Sequence, residues 1–110
     1  MDYIEKISGE TIYPVADMVE YIDGAVASLC IANKAGVNVT YFAFDAGEQL
    51  STHKAPGDAF VMLLEGRGHV IIDGTQFDLK AGEGIVMPSG KPHSVHADER
   101  MKMQLILLKA

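Results

Sequence analysis

Residues 82–93 read GEGIVMPSGKPH, and the architecture turns on this stretch. Gly82 and Gly84 punctuate the chain before a short apolar run, Ile85 to Met87, which has the length and composition of a strand. Pro88-Ser89-Gly90-Lys91-Pro92 then makes a tight turn, since proline presets φ and glycine accepts a left-handed backbone. His93 opens the next run, His93 to Val95. A polar side chain at the start of a strand, just after a tight turn, is the setting of a barrel mouth.

The same grammar extends outward. Short apolar or alternating runs occupy Ala25 to Ala32, Val37 to Phe44, Ala59 to Leu64, His69 to Ile72, Thr75 to Leu79 and Met101 to Leu108. Their length and spacing predict strands. Asp73-Gly74 predicts a two-residue hairpin, Asn33-Lys34-Ala35-Gly36 a longer turn, and Gly66-Arg67-Gly68 a hairpin turn. Antiparallel meanders are expected from such connections. Val15, Met18, Val19 and Ile22, spaced i, i+3, i+4 and i+7 after Pro14, allow a short amphipathic helix as well as an N-terminal strand. Eight to ten strands with frequent turns make a closed sandwich or barrel the natural solution, because an open sheet leaves an apolar face wet.

The 110 residues predict one domain, 1–110, with the barrel at about 25–109. A formal charge of −6 disfavours nucleic acid and anionic lipid as partners. The single cysteine, Cys30, excludes an intramolecular disulfide framework and fits a reducing, cytoplasmic setting. It lies in an apolar run without a basic neighbour, so a buried structural thiol is expected. Met1 to Lys6 has neither a basic nor an apolar leader region, and no run is long enough to span a membrane. Met18, Met62, Met87, Met101 and Met103 are expected to fill core gaps or an interface. Asp73, Glu83, Asp98 and Glu99 read as a solvated acidic surface. The continuous run Leu105 to Leu108 needs cover on both faces, which predicts a homodimer packed through barrel exteriors that include Phe60 and Met62.

Four histidines, His53, His69, His93 and His96, are the side chains suited to both metal ligation and proton transfer near neutrality. Alternation counted along the strands places Val61, Leu63, Val70, Ile72 and Val95 inside, and Phe60, Met62, Leu64, His69 and His96 outside. His53, in a polar stretch six positions after Gly47, and His93, after the Pro88 to Pro92 turn, stand in settings typical of a barrel mouth.

Two segments carry a resemblance. Gly47-x5-His53 continuing to Gly66, and Gly82-x5-Pro88-x-Gly90-x2-His93, are similar to the two motifs of the cupin superfamily, G(X)5HXH(X)3-4E(X)6G and G(X)5PXG(X)2H(X)3N. The resemblance spans residues 47–97 and lies nearest to small single-domain cupins. It implies an all-β, double-stranded β-helix, or jelly-roll barrel, whose motifs supply three histidines and a glutamate to a divalent ion. Here the second histidine position is Ala55, the glutamate position is Ala59, and the final asparagine position is Ala97. His53 and His93 remain as metal ligands, with Asp58 as a possible third. Iron, manganese, zinc or nickel is then expected to be weakly held or absent. The reading is a small-molecule-binding barrel of unassigned activity, walled by Ala55, Ala59, Val61, Ile85, Met87 and Val95. The two alanines enlarge that pocket and make it more apolar. The alternative is a metal-dependent dioxygenase, isomerase or lyase acting on a small oxygenated or carboxylated compound.

Overall fold

The computed structural model describes residues 3–110, so Met1 and Asp2, the start of the stretch read for a leader, lie outside the described residues. Nine strands follow one 3-10 turn, Val15–Asp17: β1 (Val26–Lys34), β2 (Val37–Phe44), β3 (Gln49–His53), β4 (Asp58–Glu65), β5 (Arg67–Ile72), β6 (Thr75–Lys80), β7 (Gly84–Met87), β8 (His93–Ala97) and β9 (Met101–Leu108). Two antiparallel sheets result, ordered β1-β2-β9-β4-β7 and β3-β8-β5-β6. This is the all-β jelly roll expected from the sequence.

Three local expectations change. Among the described residues only β1–β2 and β5–β6 are hairpins; β9 inserts between β2 and β4, so the strands are not a run of meanders. Gly66-Arg67-Gly68 is not a hairpin turn, because β4 and β5 belong to different sheets and Gly66 is the corner between them. A Cβ on Gly66 would lie 2.0 Å from the Arg100 carbonyl oxygen, and its φ of +80° suits glycine. The Ala35-Gly36 turn is a tight two-residue link between paired Lys34 and Val37. Asp73 and Gly74 take the two positive φ angles that a tight hairpin demands, as the sequence predicted.

The sheets close on a core drawn from both: Phe44, Val61, Leu63, Val70, Val95 and Met103 are among its fully buried members. Val61 and Leu63 point inward while Phe60 and Met62 lie on the opposite face, as strict alternation requires. Met87, Met101 and Met103 are buried, whereas Met62 and Met18 pack at the exterior.

The N-terminal segment makes neither a strand nor an amphipathic helix. After the 3-10 turn it runs over the outside of the larger sheet, where Val19 is buried with Ile31, Tyr41 and Ala43 while Val15 and Ile22 stay exposed. Lys102 tethers it by donating from Nζ to the Ala16 carbonyl at 2.6 Å. Tyr21 donates to Glu65 Oε2 at 2.5 Å, and burial, followed by that carboxylate, raises the phenol above its usual range. Cys30 is only partly buried, its Sγ accepting from Asn38 Nδ2 at 3.5 Å.

Candidate functional site

His53 ends β3 and His93 begins β8, and the two are cross-strand partners. The loop between β3 and β4 is fastened to the turn before β8, with Gly90 N–H donating to Ala55 O at 3.1 Å and Ser89 N–H to Asp58 Oδ1 at 2.8 Å. Gly90 has φ +77°, which lets this turn reverse just ahead of His93. The two motif segments thus hold one rim. His93 is 2% exposed, sunk into the barrel, while His53 faces solvent above it.

Both imidazoles are oriented by the backbone. His53 Nδ1–H donates to Ser51 O at 2.8 Å and His93 Nδ1–H to Lys91 O at 3.2 Å. A carbonyl oxygen only accepts, so each Nδ1 carries the proton and each Nε2 presents a lone pair. Those two Nε2 atoms converge at 3.2 Å, with the rings edge to face at 71°. Two acceptors in contact are satisfied by one shared proton or one cation. Two nitrogens bound to one zinc-like ion at about 2.0–2.1 Å stand roughly 3.3 Å apart in tetrahedral geometry, so the observed separation fits a metal cradle. The Nδ1–carbonyl bonds are the outer partners that ligating histidines use. Burial, and then the neighbouring His53, holds His93 below the usual imidazole range, which keeps it in the neutral, ligating form.

Of the six residues expected to wall the pocket, four are buried in the interior. Ala59, Val61, Met87 and Val95 are fully buried, and Ala55 is partly exposed at the rim. Ile85 lines a separate surface cavity of about 410 Å³ with Ile72, Phe77 and Lys91. Asp58 is an exposed residue whose Oδ1 is engaged by the Ser89 amide, and it forms no three-residue ligand cluster with the histidine pair.

The other two histidines face outward, as expected, yet they also meet. His69 on β5 pairs across the strands with His96 on β8 and with Asp78 on β6. The rings stack at 4.6 Å and 11°. His69 Nδ1 contacts Asp98 Oδ1 at 2.8 Å, so Asp98 is not merely a solvated surface carboxylate. The sequence reading missed this cluster, although the Asp73-Gly74 hairpin already sets residue 69 opposite residue 78. Asp98 joins through the turn after β8, which no local pattern announces.

Comparison with known proteins agrees with this architecture. A family model described as the cupin domain matches residues 40–108. No curated protein matches. A conserved protein of unknown function from Streptococcus pyogenes has 30% sequence identity and a TM-score of 0.96, over 100% of this chain and 96% of that one. A cupin superfamily protein from Desulfitobacterium hafniense has 26% identity and a TM-score of 0.92, over 97% of this chain and 98% of the other. A cupin 2 conserved barrel domain protein from Leptotrichia buccalis reaches 43% identity and a TM-score of 0.86 over 88% of this chain, which spans 47% of that protein. Salicylate 1,2-dioxygenase from Pseudoaminobacter salicylatoxidans, at 21% identity and a TM-score of 0.70 over 74% of this chain and 26% of its own, shares the fold. With more than half its length matched by the domain and with these relatives, the chain belongs to the cupin superfamily.

Proposed function

We propose that this cupin binds a small oxygenated or carboxylated molecule at the barrel mouth, with His53 and His93 as the polar centre. The observation that carries the reading is the convergence of two Nε2 lone pairs at 3.2 Å, each ring fixed through its Nδ1. A divalent ion held there would be polarising and only weakly bound, since two imidazoles leave most of its coordination to water or to an oxygen-rich ligand. His93 and His53 orient the ligand's oxygens, while Ala59, Val61, Met87 and Val95 exclude water beneath them. The engagement of Asp58 by Ser89 favours binding over catalysis, because the enzyme reading then needs the substrate to complete the ligand set.

Side-chain nitrogen NMR during titration with Zn2+ tests the reading. Both Nε2 resonances, of His53 and His93, should move together, and His53→Ala should abolish the response at His93. Metal retained at this pair at one equivalent after exhaustive chelation would overturn the weak-site reading; unmoved resonances would overturn the cradle.

The same proposal covers assembly and setting. Val39, Ile106, Phe60 and Val86 are neighbours in one row across the outside of the larger sheet. Phe60 is 41% and Val86 51% exposed, and Leu108 at the end of β9 is 53% exposed, so the apolar end of β9 is covered on one face alone. A homodimer through this face, in a reducing cytoplasm, is the proposed state. A light-scattering mass of one chain at micromolar concentration would overturn it. Among the described residues no helix is long and apolar enough to cross a membrane.

A further inference from the structure

We propose that His69, Asp78 and Asp98 form a second divalent-cation site on the outer face of the four-stranded sheet, separate from the barrel mouth. One ligand atom from each residue lies within 4.8 Å of the others, a spread that an ion of zinc or cobalt size closes with small side-chain movements.

The site is built by rigid elements. His69 and Asp78 sit directly opposite on the hydrogen-bonded β5–β6 hairpin. Asp98 is carried by a turn locked to the same strand, its N–H and that of Glu99 both donating to the Arg67 carbonyl, at 3.1 and 3.3 Å. The imidazole is fixed in its own plane by stacking on His96, whose Nε2 is held by Ser94 Oγ at 2.8 Å. Gln76 Nε2 donates to Asp78 Oδ1 at 2.9 Å, orienting the second carboxylate. Donors, orienting partners and backbone are therefore in place before an ion arrives, which is what distinguishes this cluster from loose surface acids.

The electrostatics point the same way. Two carboxylates share the site with one imidazole, and among the described residues Arg67 pairs with Glu99 at 3.8 Å instead of with either aspartate. One imidazole nitrogen with two carboxylate oxygens selects a transition ion or zinc over calcium or magnesium, which prefer all-oxygen sets. Ligation through Nδ1 uses the neutral tautomer that carries its hydrogen on Nε2, so a hydrogen shared between Nδ1 and Asp98 passes by way of solvent to Nε2 as the ion takes its place. Asp78 and Asp98 also line an open groove of about 540 Å³ beside Arg67, Lys80 and Glu83, which leaves room for water or an anionic ligand on the remaining coordination positions.

The test separates this site from the barrel mouth. The chelated double variant His53→Ala, His93→Ala, titrated calorimetrically with Zn2+, should still bind one ion per chain, and Asp78→Asn with Asp98→Asn added should weaken binding at least tenfold. Absence of binding in the double variant, or binding indifferent to the two asparagines, would overturn the proposal. Should that variant not fold, substoichiometric Mn2+ added to the wild-type protein gives an independent readout by amide NMR. Broadening at Asp78 and Asp98 supports the outer site whether or not Lys54 and Lys91 at the mouth respond; broadening confined to Lys54 and Lys91 overturns it and leaves the barrel-mouth reading standing.

Discussion

The four-stranded sheet carries two histidine pairs, one on each face, and they differ in everything except how they are paired. His53 and His93 are cross-strand partners, and so are His69 and His96. The inner pair meets edge to face with its lone pairs converging, while the outer pair stacks nearly flat. What surrounds each pair sets the difference. Among the described residues the inner one stands over Ala59, Val61 and Val95 with no carboxylate joining it in a ligand cluster, whereas the outer one has Asp78 and Asp98 within reach of His69. Register brings histidines together; the neighbouring residue types decide whether the result is a nitrogen-only cradle or a mixed nitrogen–oxygen site.

The strongest way to break this contrast is to give the inner pair the donors it lacks. Ala55→His with Ala59→Glu fills the two positions at which the cupin motif places ligands. Sharing an apparent 10–16 kcal/mol for a complete zinc site among four ligands gives about 3 kcal/mol each, roughly a hundredfold per ligand. The double variant should therefore gain on the order of ten-thousandfold in Zn2+ affinity in a competition titration against a chromophoric chelator. No gain would mean that the converging Nε2 atoms do not form an ion cradle, while the outer pair should be unaffected by either change.

How far the two faces were legible follows from the kind of information each needs. The inner face could be read because motif spacing fixes His53 and His93, and because alternation puts Val61, Leu63 and Val95 inward once one residue of each strand is placed. Strand β3 escaped because Gln49 to His53 is mostly exposed and polar, so no apolar period marks it; it is a strand through its pairing with β8. The N-terminal periodicity misled for the opposite reason. Val15, Met18, Val19 and Ile22 carry a helical spacing, yet the segment is held by packing of Val19 and by the Lys102 bond to Ala16. At the outer site, His69 opposite Asp78 was implicit in the Asp73-Gly74 turn, but the approach of Asp98 depends on a turn packed against Arg67, a contact between separate elements.

A second experiment sharpens the contrast between packed and solvated faces on one strand. Leu79 and Asp78 are adjacent on β6, with Leu79 buried in the barrel core and Asp78 on the outside. Leu79→Ala should cost about 2–5 kcal/mol in urea denaturation, from lost burial and the cavity left behind. Asp78→Asn should change metal-free stability by no more than about 0.5 kcal/mol. A large loss for Asp78→Asn without metal would show that the outer cluster is a structural network first and a ligand site second.

The smallest expected effect concerns the turn that carries Asp98. Arg100 closes that turn by donating from Nε to Asp45 Oδ1 at 2.9 Å and by pairing with Asp23, while Asp45 also accepts from the Gly24 amide at 2.7 Å. The Gly24 amide first, and then Arg100, holds the Asp45 carboxyl below its ordinary value of 3.8. As pH falls, the unfolded chain takes up this proton before the folded one does. The stabilisation is therefore full above that ordinary value and is lost as pH drops through the lower folded value. Asp45→Asn should lower the melting temperature modestly at about pH 7, and the gap from wild type should narrow below about pH 4 and close as Asp45 protonates. The same variant should broaden amide resonances at Asp98 and His69 while leaving His53 and His93 sharp, because the clamp acts on the turn after β8 and the inner pair is held by the rim hydrogen bonds of Gly90 and Ser89. Equal broadening at both pairs would show that the sheet transmits the disturbance and that the two faces do not behave as separate sites.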